Sequence, residues 1–317
     1  MASAVNSIIR KLTRQKDDKL NILLFTTHER YESLICKTDH NFYALNCRKL
    51  LWLKKIAPKP ENYTEIGGSI PKGINFDLVL TIGRKRHYLE SLKLSNRLNL
   101  PMVVVEIDKF EPGYENRNGH KNVFLSQSSA NSWGFANKEY FEIPNAVDRE
   151  IFYKNPDLSP RTKVLVNCSM SKTKKEVDIL KTLSTKFNIK TFDLHCQAHY
   201  HLMAEYLRDS LLYLNLSEKP QSLGMLEAMG CGCCVLSVDT EENSNIIRDG
   251  ETGFLFKTMS QLETLIEDLY KNQEKALDIG NKSNHLIDSK FKESYFIREW
   301  NKVFYQTANQ IYLGEPT

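Results

Sequence analysis

Short apolar runs alternate with longer segments of helical period through most of the chain. In the first half, runs at residues 21–25, 42–45, 77–82, 102–107, 123–126 and 141–143 read as strands. In the second half the runs at 163–168, 191–195, 211–214, 233–238 and 253–256 do so. Between them, apolar positions recur three and four apart among polar residues, the spacing of amphipathic helices. Strands that are apolar throughout are covered on both faces, and helices between them make the sheet parallel. Two such sets predict an α/β protein of two Rossmann-like, doubly wound domains. Ligands of such domains lie beyond the C-terminal ends of the strands.

Length agrees with this pattern, since 317 residues make room for two domains of roughly 150 each. The net charge of +4 is mild and its basic residues are spread along the chain, which argues against a dedicated nucleic-acid binder. No apolar run approaches the ~20 residues of a transmembrane helix. Residues 1–18 carry Ile8, Ile9 and Leu12 among basic residues without a signal-peptide core, so a surface helix is expected, with peripheral membrane contact as the alternative. Seven irregularly spaced cysteines and no secretion signal point to a reducing, cytoplasmic setting without disulfides. Cys231, Cys233 and Cys234 read as small core residues rather than zinc ligands.

The domain boundary is expected in I-P-N-A-V-D-R-E-I-F, residues 143–152, where Pro144 biases Ile143 to extended geometry. This divides the chain into residues 1–148 and 149–317, with 154–161 as a linker. Residues 285–311, rich in aromatics, read as a last helix. Residues 48–55 (R-K-L-L-W-L-K-K) read as a core-facing helix with basic edges, with docking on a membrane or partner as the alternative.

The most informative stretch is S-E-K-P-Q-S-L-G-M-L-E-A-M-G-C-G-C-C-V, residues 217–235. A polar loop ends at Gly224, a short helix of good formers follows, and small residues lead into an apolar strand. A helix that starts in such a loop points backbone N–H groups and a partial positive charge at whatever precedes it, which suits a phosphate. Glu227 lies about one turn inside, where a carboxylate can accept hydrogen bonds from paired hydroxyls such as those of a ribose.

This stretch resembles the donor-binding signature of nucleotide-sugar glycosyltransferases of the GT-B fold, in particular family 4 (group 1). I-P-N-A-V-D resembles that family's interdomain connection, with Ala146 where glycine is common, and S-N-I-I-R-D-G-E-T-G-F-L-F resembles its D-G-x-x-G-F turn. The resemblance covers residues 141–256 most closely. It implies two domains facing a cleft, the acceptor on the first and the donor on the second, and a last helix that packs back on the first. It further implies transfer of a sugar, with retention and without metal or other cofactor, from a UDP-, GDP- or ADP-sugar. The acceptor would be a glycan, a lipid-linked sugar, a protein or a modified nucleic acid. A sugar-nucleotide epimerase of the same fold and an inactive GT-B scaffold subunit are the alternatives. No D-x-D metal motif stands in a suitable loop.

Carried over residue by residue, the resemblance places the donor against Asn167, Ser169, Lys174, Lys175, His199, Ser222, Leu223, Gly224, Met225 and Glu227. Lys172 neutralises the diphosphate, although the family's Gly-Arg pair is missing before it. His195, His199 and His201 lack a companion carboxylate at ligand spacing, so their loop is expected to line the base site rather than hold a metal. The family's first glutamate, which contacts the sugar, has no match at the usual spacing: Glu218 stands nine positions before Glu227, with Gln221 or Ser222 as substitutes. In the first half, His28 is expected to bond a sugar or acceptor hydroxyl, with helix capping as its structural alternative. Arg84, in G-R-K-R after a strand, is expected to meet an acidic acceptor or phosphate.

Overall fold

The computed structural model describes residues 18–45, 52–83, 85–108, 110, 119–155, 161–169, 173–193 and 200–309. The chain divides into two compact units, Met1–Pro144 with Ser294–Thr317, and Asn145–Glu293.

The first unit is built on seven parallel strands: β1 Asn21–Phe25, β2 Asn41–Leu45, β3 Tyr63–Gly67, β4 Leu78–Ile82, β5 Met102–Glu106, β6 Lys121–Phe124 and β7 Phe141–Glu142. They lie in the order β3-β2-β1-β4-β5-β6-β7. Helices α1 Glu29–Cys36, α2 Lys85–Leu98 and α3 Gln127–Ser132 follow β1, β4 and β6. Leu78–Ile82 and Met102–Glu106 are buried at every residue, which is why they read as continuous apolar runs. Strand β3 was not expected. Its Y-T-E-I-G is half polar because it forms an edge of the sheet. The helix expected over 48–55 is corrected in its described part: residues 46–51 lie outside the described residues, and Trp52 and Leu53 are not helical. Trp52 is instead fixed by its N–H to Glu65 Oε1 (2.7 Å) and its indole N–H to the Ala57 carbonyl (2.8 Å).

The second unit holds five parallel strands: β8 Thr162–Ser169, β9 Ile189–Asp193, β10 Ser210–Asn215, β11 Cys234–Val238 and β12 Phe254–Phe256, in the order β12-β11-β10-β8-β9. Helices α4 Lys174–Ser184, α5 Tyr200–Asp209, α6 Leu223–Gly230, α7 Glu241–Ser244, α8 Met259–Lys271 and α9 Gln273–Lys290 complete it. Apolar side chains gather in two cores: Val166, Met203, Tyr213, Met225 and Met229 in one, and Leu165, Leu212, Leu236, Leu262 and Ile266 in the other. Cys231, Cys233 and Cys234 are fully buried among them. The Cys233 thiol donates to the Leu207 carbonyl (3.0 Å), and burial pushes its pKa up to about 11. Helix α9 approaches the turn before β11 so closely that a Cβ on Gly280 would lie 2.2 Å from the Gly232 carbonyl oxygen.

The aromatic stretch expected as one helix over 285–311 is two. Helix α9 ends at Phe291, whose ring is buried in the second unit, and α10 Glu293–Ala308 begins after it. Most of α10 belongs to the first unit, where Phe296 meets Tyr31 edge-on and Phe304 packs against His40 and Phe42. Among the described residues no helix is long and apolar enough to cross a membrane.

Candidate functional site

In the second unit the chain leaves β8 toward β9 on one side and returns to β10 on the other. Loops after β8 and β10 therefore diverge, the place where open parallel sheets bind ligands. Asn167, near the end of β8, is buried and donates its amide to the Leu214 carbonyl on β10 at 2.9 Å. Beside it the Tyr213 hydroxyl donates to the Cys168 carbonyl at 3.3 Å.

The loop after β10 leads into α6, and this helix start differs from others in the chain. Side chains of His28, Ser126, Thr173, Thr240, Thr258 and Asn272 cap α1, α3, α4, α7, α8 and α9 by accepting a backbone N–H. Ser222, at the same position before α6, makes no such bond. First-turn N–H groups that no side chain caps are suited to an anion, and the helix dipole adds to that preference. Gly224 lets this end sit low on the sheet, because a Cβ there would lie 2.6 Å from the Tyr213 hydroxyl and 3.6 Å from Cys168. Glu227 follows one turn in, only 3% exposed, in a helix whose residues from Gly224 to Gly230 are all buried. Glu227 is the one ionisable side chain in this otherwise apolar helix.

Two anchors fix α6. Before it, Gln221 is locked to Asn145: the Asn145 backbone N–H donates to Gln221 Oε1 and the Asn145 amide to the Gln221 carbonyl, both at 2.7 Å. Behind it, the Gly230 carbonyl accepts from Arg149 Nη1 and from Asn284 Nδ2, which places a cation at the negative end of the helix. Gln221 is thus held in a structural clamp through its Oε1 and its backbone carbonyl.

Lys174 and Lys175 stand exposed in the first turn of α4. That helix start is closed by a capping box between Thr173 and Glu176. Glu218 is exposed in the loop before α6. Ser169 ends β8, while Lys172, His199 and Arg84 lie outside the described residues. Among those residues no group of three His, Cys, Asp or Glu is placed to hold a metal ion.

In the first unit, the loop after β1 is organised by a carboxylate that sequence reasoning missed. Glu32 is 1% exposed. Its Oε1 accepts from the Thr27 N–H (2.6 Å), the His28 N–H (2.7 Å) and the Thr27 hydroxyl (3.2 Å), and its Oε2 from the Tyr63 hydroxyl (2.7 Å). Burial raises its pKa above the ordinary value, against the opposing pull of these hydrogen bonds. In T-T-H-E-R-Y-E nothing separates Glu32 from a solvated carboxylate; only the distant Tyr63 reveals it. His28 caps α1 through Nδ1, which accepts from the Tyr31 N–H at 3.3 Å, so the structural alternative holds for that atom.

Comparison with known proteins agrees with this geometry. Residues 164–285 match the family model of glycosyl transferases group 1. No curated protein matches the chain in sequence. Among solved structures, Anabaena HepE in complex with UDP-glucose is similar, with a TM-score of 0.71, 13% identity, and coverage of 91% of this chain and 99% of that one. A glycosyltransferase from Rickettsia africae gives a TM-score of 0.68 at 13% identity, covering 92% and 99%. Sucrose-phosphate synthase from Thermosynechococcus elongatus gives 0.67 at 11% identity, covering 91% and 99%. Residues 164–285 are therefore similar to glycosyl transferases group 1, in a chain that has the two-domain fold of GT-B glycosyltransferases.

Proposed function

We propose that the protein transfers a hexosyl group from a nucleotide-diphosphate sugar to an acceptor hydroxyl, with retention of configuration, without a divalent ion, and in the cytoplasm. The observation that carries this reading is the start of α6, which no Ser222 side chain caps, with Glu227 buried one turn behind it. The first-turn N–H groups of α6 hold the diphosphate, and Glu227 accepts hydrogen bonds from the ribose hydroxyls. Asn167 and Ser169, at the end of the adjacent strand, border the donor. Lys174 and Lys175, with Lys172, offset the negative charge that develops on the departing nucleotide, as fixed cations do most effectively where charge grows in the transition state. Glu218 contacts the donor sugar and His199 borders the base. The acceptor, a glycan, lipid-linked sugar, protein or modified nucleic acid, is bound by the first unit, with His28 and Arg84 its contact residues.

UDP-glucose in the similar HepE structure supports a nucleotide-sugar donor. Incubation with a panel of UDP-, GDP- and ADP-sugars, followed by nucleotide release and by thermal shift, tests the reading. Release of nucleotide from one donor class is expected. Neither release nor binding with any of them would overturn it.

A further inference from the structure

Three polar side chains meet at the C-terminal ends of β10 and β11, where an apolar core would be cheaper to build. Asn243 in α7 and Ser237 are fully buried, and Asn215 is nearly so. The Asn243 amide donates to the Val238 carbonyl at 2.9 Å and to the Ser217 carbonyl at 3.0 Å. The Asn215 amide donates to the Ser237 hydroxyl at 2.9 Å and, more weakly, to the same Ser217 carbonyl at 3.3 Å. Asn215 Oδ1 in turn accepts the Ser217 N–H at 3.3 Å, and the Ser217 hydroxyl accepts the Lys219 N–H at 3.2 Å. Backbone and side chain of Ser217 are therefore both committed.

A buried network of this kind specifies one arrangement, because any slip leaves amides unpaired in a dry environment. The Ser217 carbonyl belongs to the same rigid peptide plane as the Glu218 nitrogen, so holding one sets the direction in which the chain enters Glu218. At its far end the loop is held by the Asn145–Gln221 pair. Glu218 and Lys219, exposed between these anchors, are presented by a loop of fixed geometry.

We propose that Asn243 is a positioning residue for recognition of the donor sugar: its amide, by holding Ser217, sets the loop that presents Glu218. This rests on the nucleotide-sugar reading above and assigns a further residue to it. Asn243 does not touch the donor. It acts through the peptide plane before Glu218, and its loss changes how the sugar is distinguished without changing how the nucleotide is held.

The test measures, by calorimetry, the affinities of UDP and UDP-glucose, GDP and GDP-mannose, and ADP and ADP-glucose. The readout is the ratio of sugar-bearing to sugar-free affinity within the pair that the wild type binds. Asn243→Leu, near in volume but without donors, is expected to lower that ratio about fivefold, the worth of one hydrogen bond, with nucleotide affinity held. Glu218→Ala, an exposed change that leaves the core intact, is expected to lower it equally, and the double variant no further. A purely structural role for Asn243 would reduce thermal stability and both affinities together, leaving the ratio unmoved. An unchanged ratio in Glu218→Ala overturns the proposal even if Asn243→Leu fails to fold, and so does an additive double variant. Wild-type protein that binds no nucleotide overturns the transferase reading, and this inference with it.

Discussion

Asn145 donates two hydrogen bonds of 2.7 Å to Gln221, although 76 positions separate them in the chain. Both are buried, and Gln221 holds the left-handed backbone (φ 43°) that residues other than glycine adopt at a cost of about 1 kcal/mol or more. The clamp offsets that strain and sets where α6 begins. Replacing Gln221 with Ala strands the buried Asn145 N–H and is expected to cost about 1–3 kcal/mol in urea unfolding. Asn145→Ala removes the other bond. The double variant is expected to lose less than the sum of the two, since losing either bond loosens the contact that holds the other. Strict additivity would show that the pair does not act as a unit.

Gly224 and Tyr213 form a steric pair. A methyl group at 224 meets the Tyr213 hydroxyl at 2.6 Å, and that ring is fully buried. Gly224→Ala is expected to destabilise by about 1–3 kcal/mol, the range for overpacking, and to weaken nucleotide binding as the helix start lifts. Tyr213→Phe, which removes the obstructing oxygen, is expected to recover part of both losses. No recovery would mean that the glycine serves another purpose.

Glu32 supplies a pH test for the first unit. Its carboxyl pKa is raised above the ordinary 4.5 in the folded state, chiefly by burial. The folded protein thus holds this proton more tightly than the unfolded chain does. Its contribution to stability is complete below 4.5 and is lost as pH rises through the raised value. Unfolding free energy of the wild type minus that of Glu32→Gln is expected to fall as pH rises from 4.5 toward neutrality. A difference that stays flat or rises would contradict the burial effect.

Much of this architecture is legible in the residues themselves. Continuous apolar runs such as L-V-L-T-I and M-V-V-V-E read as central parallel strands and are found as such, and the loop, glycine and short helix of 217–230 stand where the sequence puts them. What escapes is set by distant partners. Strand β3 is half polar because one side faces no neighbour, Gln221 looks like any loop residue until Asn145 is beside it, and Glu32 looks solvated until Tyr63 covers it. The helix expected over 285–311 breaks at Phe291 because that ring is buried in one unit while Phe296 and Trp300 belong to the other.

Fixed positive groups, Lys174, Lys175 and the start of α6, are assigned the electrostatic work of nucleotide departure. Turnover is therefore expected to persist in excess chelator, at a rate within about twofold of the untreated protein, a barrier change well under 1.4 kcal/mol. Activity that disappears in chelator and returns with manganese or magnesium would assign that work to an ion.

The account turns on α6 holding a nucleotide through its first turn and Glu227. Calorimetric titration of nucleotide diphosphate into the wild type and into Glu227→Gln, each shown to be folded by its thermal transition, addresses it most directly. A loss of about 1–3 kcal/mol in binding is predicted, roughly five- to 150-fold in affinity, because ribose hydroxyls lose a charged acceptor. Equal affinities in the two folded proteins would contradict the assignment of Glu227 and, with it, the placement of the donor.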